Sequence, residues 1–136
     1  MMQYKSLAEN TKEIRLLKFK KMYLAGKRNF CLIDLSEINL SQENLREIDL
    51  RGSDLSGSYL DKIDLRGANL RYSNLFGSDL TAADLRGANL EDTNLCWTNL
   101  ALALYDEKTK FPDGFLPRKH QMIYKPLHKE ILLNKI

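Results

Sequence analysis

Leucine recurs at strict five-residue intervals through the middle of the chain, at Leu35, Leu40, Leu45, Leu50, Leu55, Leu60, Leu65, Leu70, Leu75, Leu80, Leu85, Leu90, Leu95 and Leu100. Phe30 extends the series by one unit upstream, and Tyr105, preceded by Ala103 and Leu104, extends it by one downstream. A fixed internal period outranks other sequence signals. A step of five turns an α-helix through about 140°, which spreads the leucines round every face instead of along one stripe. In a flat strand the same odd step sends successive leucines to opposite sides. The pattern therefore predicts a chain that runs extended for two or three residues and then turns, repeatedly, so that all leucines share one axis.

Strand alternation turns the residue two before each leucine inward as well, and those positions are small or apolar: Ile33, Ile38, Ile48, Ser53, Ser58, Ile63, Ala68, Ser73, Ser78, Ala83 and Ala88. The residue just before the leucine is nearly always Asp or Asn, whose side chain bonds readily to backbone in turns. Tyr59 departs from this and puts the turn bonding there in question, though not the register. Gly52, Gly57, Gly67, Gly77 and Gly87 fall two after the leucine, where a type II turn needs positive φ.

Quoted as IDLRG, ANLRY, SDLTA, ADLRG and ANLED, these units closely resemble the A(D/N)LXX repeats of the pentapeptide-repeat family over residues 28 to about 105. The resemblance implies an all-β solenoid, a right-handed quadrilateral parallel β-helix with four units to each square coil. Sixteen units then make about four coils, and a strand spacing of about 4.8 Å makes the stack about 15 to 20 Å tall. So short a stack needs both ends covered, because an open coil presents free backbone groups and an apolar cross-section.

The flanks supply the expected covers. KMYLAGKRNF resembles the helical lead-in, and YDEKTKFPDGF the terminating segment, that bracket such repeats in cyanobacterial proteins. The chain divides accordingly into an N-terminal helical cap at 1–27, repeats at 28–105 and a partly irregular C-terminal cap at 106–136. Residues 11–25 read as a helix with Asn10 or Thr11 as N-cap, Ile14, Leu17, Met22 and Leu24 broadly apolar, a basic face in solvent, and Gly26 as the stop. Pro112, Asp113 and Gly114 predict a turn, after which Phe115, Leu116, Met122, Ile123 and Tyr124 lie over the last coil, and 127–136 reads as a short helix. Arg28 and Glu43 occupy small inward sites, so the first coil is expected to be irregular, since an unpaired buried charge costs several kcal/mol.

Charge is uneven: Lys+Arg against Asp+Glu is 7 to 2 over residues 1–27, 7 to 12 over 28–102, and 7 to 4 over 103–136. Residues twenty apart stack, so the outward position after the leucine forms columns, one reading Arg46, Arg66, Arg86 and the next Cys31, Arg51, Arg71, Glu91. Five arginines on adjacent faces suit carboxylate or phosphate. The plainer reading is exposed pairing with Asp49, Asp64 and Asp84, worth little. Tyr72, Phe76, Cys96 and Trp97 project outward together, an apolar cluster of the kind that marks interfaces, to be covered by the C-terminal tail, a second copy or a partner.

Cys31 and Cys96 fall about three coil steps, or about 14 Å, apart in this register, beyond disulfide reach, and read as free thiols. No stretch has the roughly 18 apolar residues of a membrane span and the start lacks a signal-peptide core, so a cytoplasmic protein is expected. His120 and His128 lie in the tail, the aspartates recur for turn chemistry, and the glycines are spaced by the coil rather than grouped to cradle phosphate. These features predict a non-enzyme without cofactor or metal, an interaction or scaffold module for another protein or a second copy of itself, with no membrane partner. The alternatives are nucleic-acid-related: mimicry of DNA towards a type II topoisomerase, known in the family, or direct anion or nucleic-acid binding through the arginines. Mimicry wants a long acidic rod, which this short chain with basic ends is not.

Overall fold

The computed structural model describes residues 2–127, with side chains from Asn10 onward. The repeat is a solenoid of four-unit coils. From Asn29 to Asp84, the residue before each leucine-type position forms a parallel bridge with the residue twenty further on, Asn29↔Asp49 through Asp79↔Asn99 to Asp84↔Leu104. The leucines point inward and all but the half-buried Leu95 are buried, as are their small partners Ala68, Ser73, Ser78, Ala83 and Ala88. Inward hydroxyls find backbone carbonyls: Ser58 donates to Leu35 O at 2.7 Å and Ser78 to Leu75 O at 2.7 Å, so these polar groups are buried without being left unpaired.

Each corner is a turn with a residue of positive φ two after the leucine. Glycine fills it at Gly52, Gly57, Gly67, Gly77 and Gly87, and ordinary residues including Glu47, Lys62, Ala82 and Trp97 fill it elsewhere. At Gly52 the demand is twofold, because an added Cβ would also meet Leu32 Cδ2 at 2.7 Å. The side chain before the leucine stabilises the turn by accepting an amide: Arg66 N–H donates to Asp64 Oδ1 at 3.1 Å and Phe76 N–H to Asn74 Oδ1 at 3.0 Å. Tyr59 has no short side-chain oxygen to accept the turn amide, yet Asn39↔Tyr59 and Tyr59↔Asp79 keep the register.

The first coil is regular, contrary to the expectation drawn from Arg28 and Glu43. No coil lies below it, so both inward charges reach the helical cap. Glu43 pairs with Lys20 at 2.8 Å, and the Arg28 guanidinium lies 3.9 Å from the centre of the Tyr23 ring.

That cap, α1, spans Met2–Leu24. It begins well before Asn10 or Thr11, neither of which is its N-cap, because residues 2–9 contain no glycine or proline to stop it. It ends as expected at Gly26, in a Schellman arrangement: Lys27 N–H bonds Met22 O at 3.1 Å and Gly26 N–H bonds Tyr23 O at 3.0 Å, with Gly26 at φ +101°. The docked face differs from the expected one. Phe19 is buried with Leu16 and Tyr23 beside it, whereas Ile14, Leu17, Met22 and Leu24 are exposed. The basic face does not simply meet solvent either: Lys12 pairs with Glu37 at 2.7 Å and Arg15 with Asp34 at 2.9 Å.

At the far end the coil runs on to Lys110, which bridges Asn89 at a step one residue longer than the usual twenty. Beyond the turn at Asp113 and Gly114 comes a 3₁₀ helix, Pro117–His120, and then β2, Ile123–Tyr124, pairs in parallel with β1, Leu104–Tyr105. Met122 is buried and Phe115 packs against the core as expected, while Leu116, Ile123 and Tyr124 remain exposed. Of the helix expected at 127–136 only Leu127 is described, in a turn, and the rest, with His128, lies outside the described residues.

Candidate interaction surface

Both ends close by the same device, a side chain taking the place of a backbone partner in the stack. Within the stack each amide at a leucine, or two after it, donates to the carbonyl nineteen residues on, as Gly67 does to Arg86 O at 3.0 Å. For Gly87 the residue nineteen on is buried Asp106, and its side-chain carboxylate rather than its carbonyl takes the amide, at 3.0 Å. Asp106 also accepts from Lys108 N–H and Thr109 N–H, and Thr109 Oγ1 donates to Leu85 O at 2.9 Å. At the other end Arg15 donates to Asp34 O at 3.1 Å and Ser36 O at 3.3 Å. Those are the carbonyls that the amides of a preceding coil would take. The sequence reading missed both; Asp106 falls one after the leucine-type Tyr105, in the outward phase of Arg46, Arg66 and Arg86, where nothing in the pattern marks it for burial.

The outward arginines stack as the twenty-residue register requires, since Glu47 N–H bonds Arg66 O, Gly67 N–H bonds Arg86 O and Gly52 N–H bonds Arg71 O. Their charges are largely engaged. Arg51 grips Asp49 at 2.7 Å, Arg66 grips Asp64 at 2.6 Å and reaches Asp84 at 3.5 Å, Arg86 grips Asp84 at 2.5 Å, and Arg71 stands 3.5 Å from Asp92 and over the Tyr72 ring. Hydrogen bonds from Arg51 and Arg66 hold the Asp49 and Asp64 carboxyls below the usual range, and those to Asp64 and Asp84 push the Arg66 and Arg86 guanidinia up. Arg46 is exposed and acts on Asp64 only through its charge.

Tyr72, Phe76, Cys96 and Trp97 are all exposed, Trp97 at 86 %. Phe76 and Cys96 stack one coil apart, joined by the Gly77 N–H bond to Cys96 O at 3.0 Å. Cys31 and Cys96 are both free. Among the described residues the tail does not cover Trp97. It passes alongside, and Pro112 to His120 form the far wall of a groove of about 560 Å³ whose near wall is Thr93 to Trp97. Ring contacts back that wall: Tyr105 and Phe111 meet edge-on with centres 5.6 Å apart, while Phe111 and Phe115 stack at 5.0 Å and Phe115 and His120 at 4.4 Å. Among the described residues no helix is long and apolar enough to cross a membrane and no group of side chains is set to hold a metal ion.

The model of the pentapeptide-repeat family matches this chain in eight copies, over residues 33–71 and 63–101. The chain belongs to the pentapeptide-repeat family. Among solved structures of that family, the alr5209 protein of Nostoc PCC 7120 is 33% identical, with 80% of this chain and 94% of that one covered and a TM-score of 0.44. A pentapeptide repeat protein from the thylakoid lumen of Arabidopsis thaliana is 29% identical over 65% of this chain and 61% of its own, with a TM-score of 0.52. HetL of Nostoc sp. strain PCC 7120, involved in heterocyst differentiation regulation, is 32% identical over 69% and 55%, with a TM-score of 0.41. No match was found among curated proteins. For a pentapeptide-repeat chain, the Leu and Asp/Asn ladder is architecture, and what individualises this one is the set of outward residues and the caps.

Proposed function

We propose that this chain is a non-catalytic interaction module, a right-handed quadrilateral β-helix that offers the edge of its last coil, around Trp97, to a protein partner. The observation that carries the reading is the 86 % exposure of Trp97 beside exposed Phe76, Cys96 and Tyr72 on a rigid, regularly bonded frame. Large aromatics on a rigid support give contact area at low entropic cost, and Trp leads the residues that dominate binding energy. The arginine corner is the weaker candidate, because four of its five members, Arg51, Arg66, Arg71 and Arg86, already hold carboxylates. The same pairing breaks up the acidic surface that DNA mimicry needs, which favours a protein partner over the nucleic-acid readings.

The test is affinity capture from an extract of the source organism, followed by titration of the captured protein. Trp97→Ala is expected to weaken binding by at least about 30-fold, in line with a central Trp contact worth about 2 kcal/mol or more. Arg66→Glu is expected to leave it within about threefold, as for an exposed charge outside the contact. Unchanged binding by Trp97→Ala overturns the reading.

A further inference from the structure

The backbone of the last coil is partly covered on two faces and open on a third. Leu90 N–H bonds Lys110 O at 2.7 Å and Leu102 N–H bonds Gln121 O at 2.9 Å, so the tail supplies part of the missing coil there, although among the described residues Asp92 N–H and Leu100 N–H take no backbone carbonyl. Between them lies the stretch 93–97. One coil below, the equivalent stretch makes three bonds upward: Leu75 N–H to Asn94 O at 2.9 Å, Gly77 N–H to Cys96 O at 3.0 Å, and Asn94 N–H to Ser73 O at 3.0 Å. Among the described residues, the corresponding groups of the last coil, Leu95 N–H, Trp97 N–H and Thr93 C=O, have no partner. Leu95 is half-buried, whereas Leu35, Leu55 and Leu75 beneath it are fully buried.

We propose that this edge, at the floor of the groove between Trp97 and Phe115, binds an extended peptide segment of a partner protein as an added parallel strand, which rests on the interaction-module reading above. Three backbone groups at fixed strand spacing, two donors and one acceptor, match a peptide backbone. The register follows from the coil below. The first residue of the segment lies over Asn94; its N–H donates to Thr93 O and its C=O accepts from Leu95 N–H. The second carries an aliphatic side chain that covers Leu95. The carbonyl of the third accepts from Trp97 N–H, beside the indole. The groove volume of about 560 Å³ falls within the usual range of ligand sites. Main-chain bonds supply affinity, and the Leu95 position with its aromatic walls selects an apolar second residue.

The test uses the full chain, ¹⁵N-labelled, and as probe the acetylated and amidated peptide Ser-Asn-Leu-Phe-Gly, the sequence of residues 73–77 that runs beneath this edge. Without peptide, the Leu95 and Trp97 amides are expected to exchange quickly with solvent. With millimolar peptide they shift, and near saturation they exchange about tenfold more slowly. The same peptide N-methylated at its Asn, which removes the donor to Thr93 O, is expected to have no effect. The proposal is overturned if both amides are already protected in the full chain alone, meaning that the chain itself or a second copy covers the edge. It is equally overturned if the two peptides act alike or neither acts. Should the peptides fail while Trp97→Ala still loses the captured partner, strand addition falls and the interaction surface stands; if both fail, both fall.

Discussion

Leu70→Ala is expected to lower the unfolding free energy by about 3 to 4 kcal/mol, near the upper part of the range for buried Leu→Ala changes. Leu70 is fully buried and its backbone is pinned from both sides, by Leu50 N–H bonding Asn69 O at 2.8 Å below and Leu70 N–H bonding Asn89 O at 2.8 Å above. The coils cannot close on the lost side chain without breaking the bridges Asp49↔Asn69 and Asn69↔Asn89, so most of the cavity persists. Leu70 O also accepts the hydroxyls of Ser73 at 2.6 Å and Thr93 at 2.8 Å, which fixes its position further. Leu95→Ala, at the half-buried open edge, is expected to cost only about 1 to 2 kcal/mol, since less area leaves water there. Urea unfolding of the two variants checks the difference. Equal losses would mean that the last coil is covered as fully as the middle of the stack.

Phe19→Ala is expected to release α1 from the first coil at a local cost of about 3 to 5 kcal/mol. Phe19 is buried and packs edge-on against Phe30 with ring centres 4.8 Å apart, beside Tyr23 at 6.1 Å. Leu16 and Tyr23 pack beside it, and the partly exposed pairs from Lys12, Arg15 and Lys20 add little, as ion pairs in solvent do. A solenoid is stabilised mainly by contacts between neighbours, so the loss stays at that end while the inner coils keep theirs. Loss of amide protection in α1, with protection retained around Leu70, is the signature. The uncovered first coil then presents its open edge, and sedimentation is expected to show concentration-dependent association absent from the parent chain. Ile14→Ala, on the exposed side of the same helix, should change stability by less than about 0.5 kcal/mol.

The repeat was legible because each position of the unit has one physical job. The leucines and their small partners fill the interior, Asp and Asn accept the turn amides, and glycine eases the positive φ. From that register the stacking of the arginine columns and the outward placement of Trp97 and Phe76 followed directly. The ends were not legible in the same way. Apolar residues occur on two sides of α1, and only docking selects Leu16, Phe19 and Tyr23 over Ile14, Leu17 and Leu24. Arg28 and Glu43 look like buried charges when their positions are treated as interior, but at the first coil the interior has no floor. Asp106 and Arg15 take the place of backbone partners, a role that no repeat pattern encodes. The pairing of Lys110 with Asn89 also breaks the twenty-residue count by one, which periodicity cannot anticipate.

The twenty-residue coil underlies the core, the columns and the proposed surface, and one cross-link tests it. Phe76 and Cys96 face outward at stacked positions, where a parallel-strand spacing of about 4.8 Å lies within disulfide range. With Cys31→Ser in place to leave one native thiol, Phe76→Cys is expected to form a disulfide with Cys96 under mild oxidation, found by mass spectrometry of the digested monomer. Thr81→Cys, one unit further along and on the next face, is expected to form none. A bridge from Thr81→Cys and none from Phe76→Cys would contradict the four-unit coil and with it the placement of every outward residue.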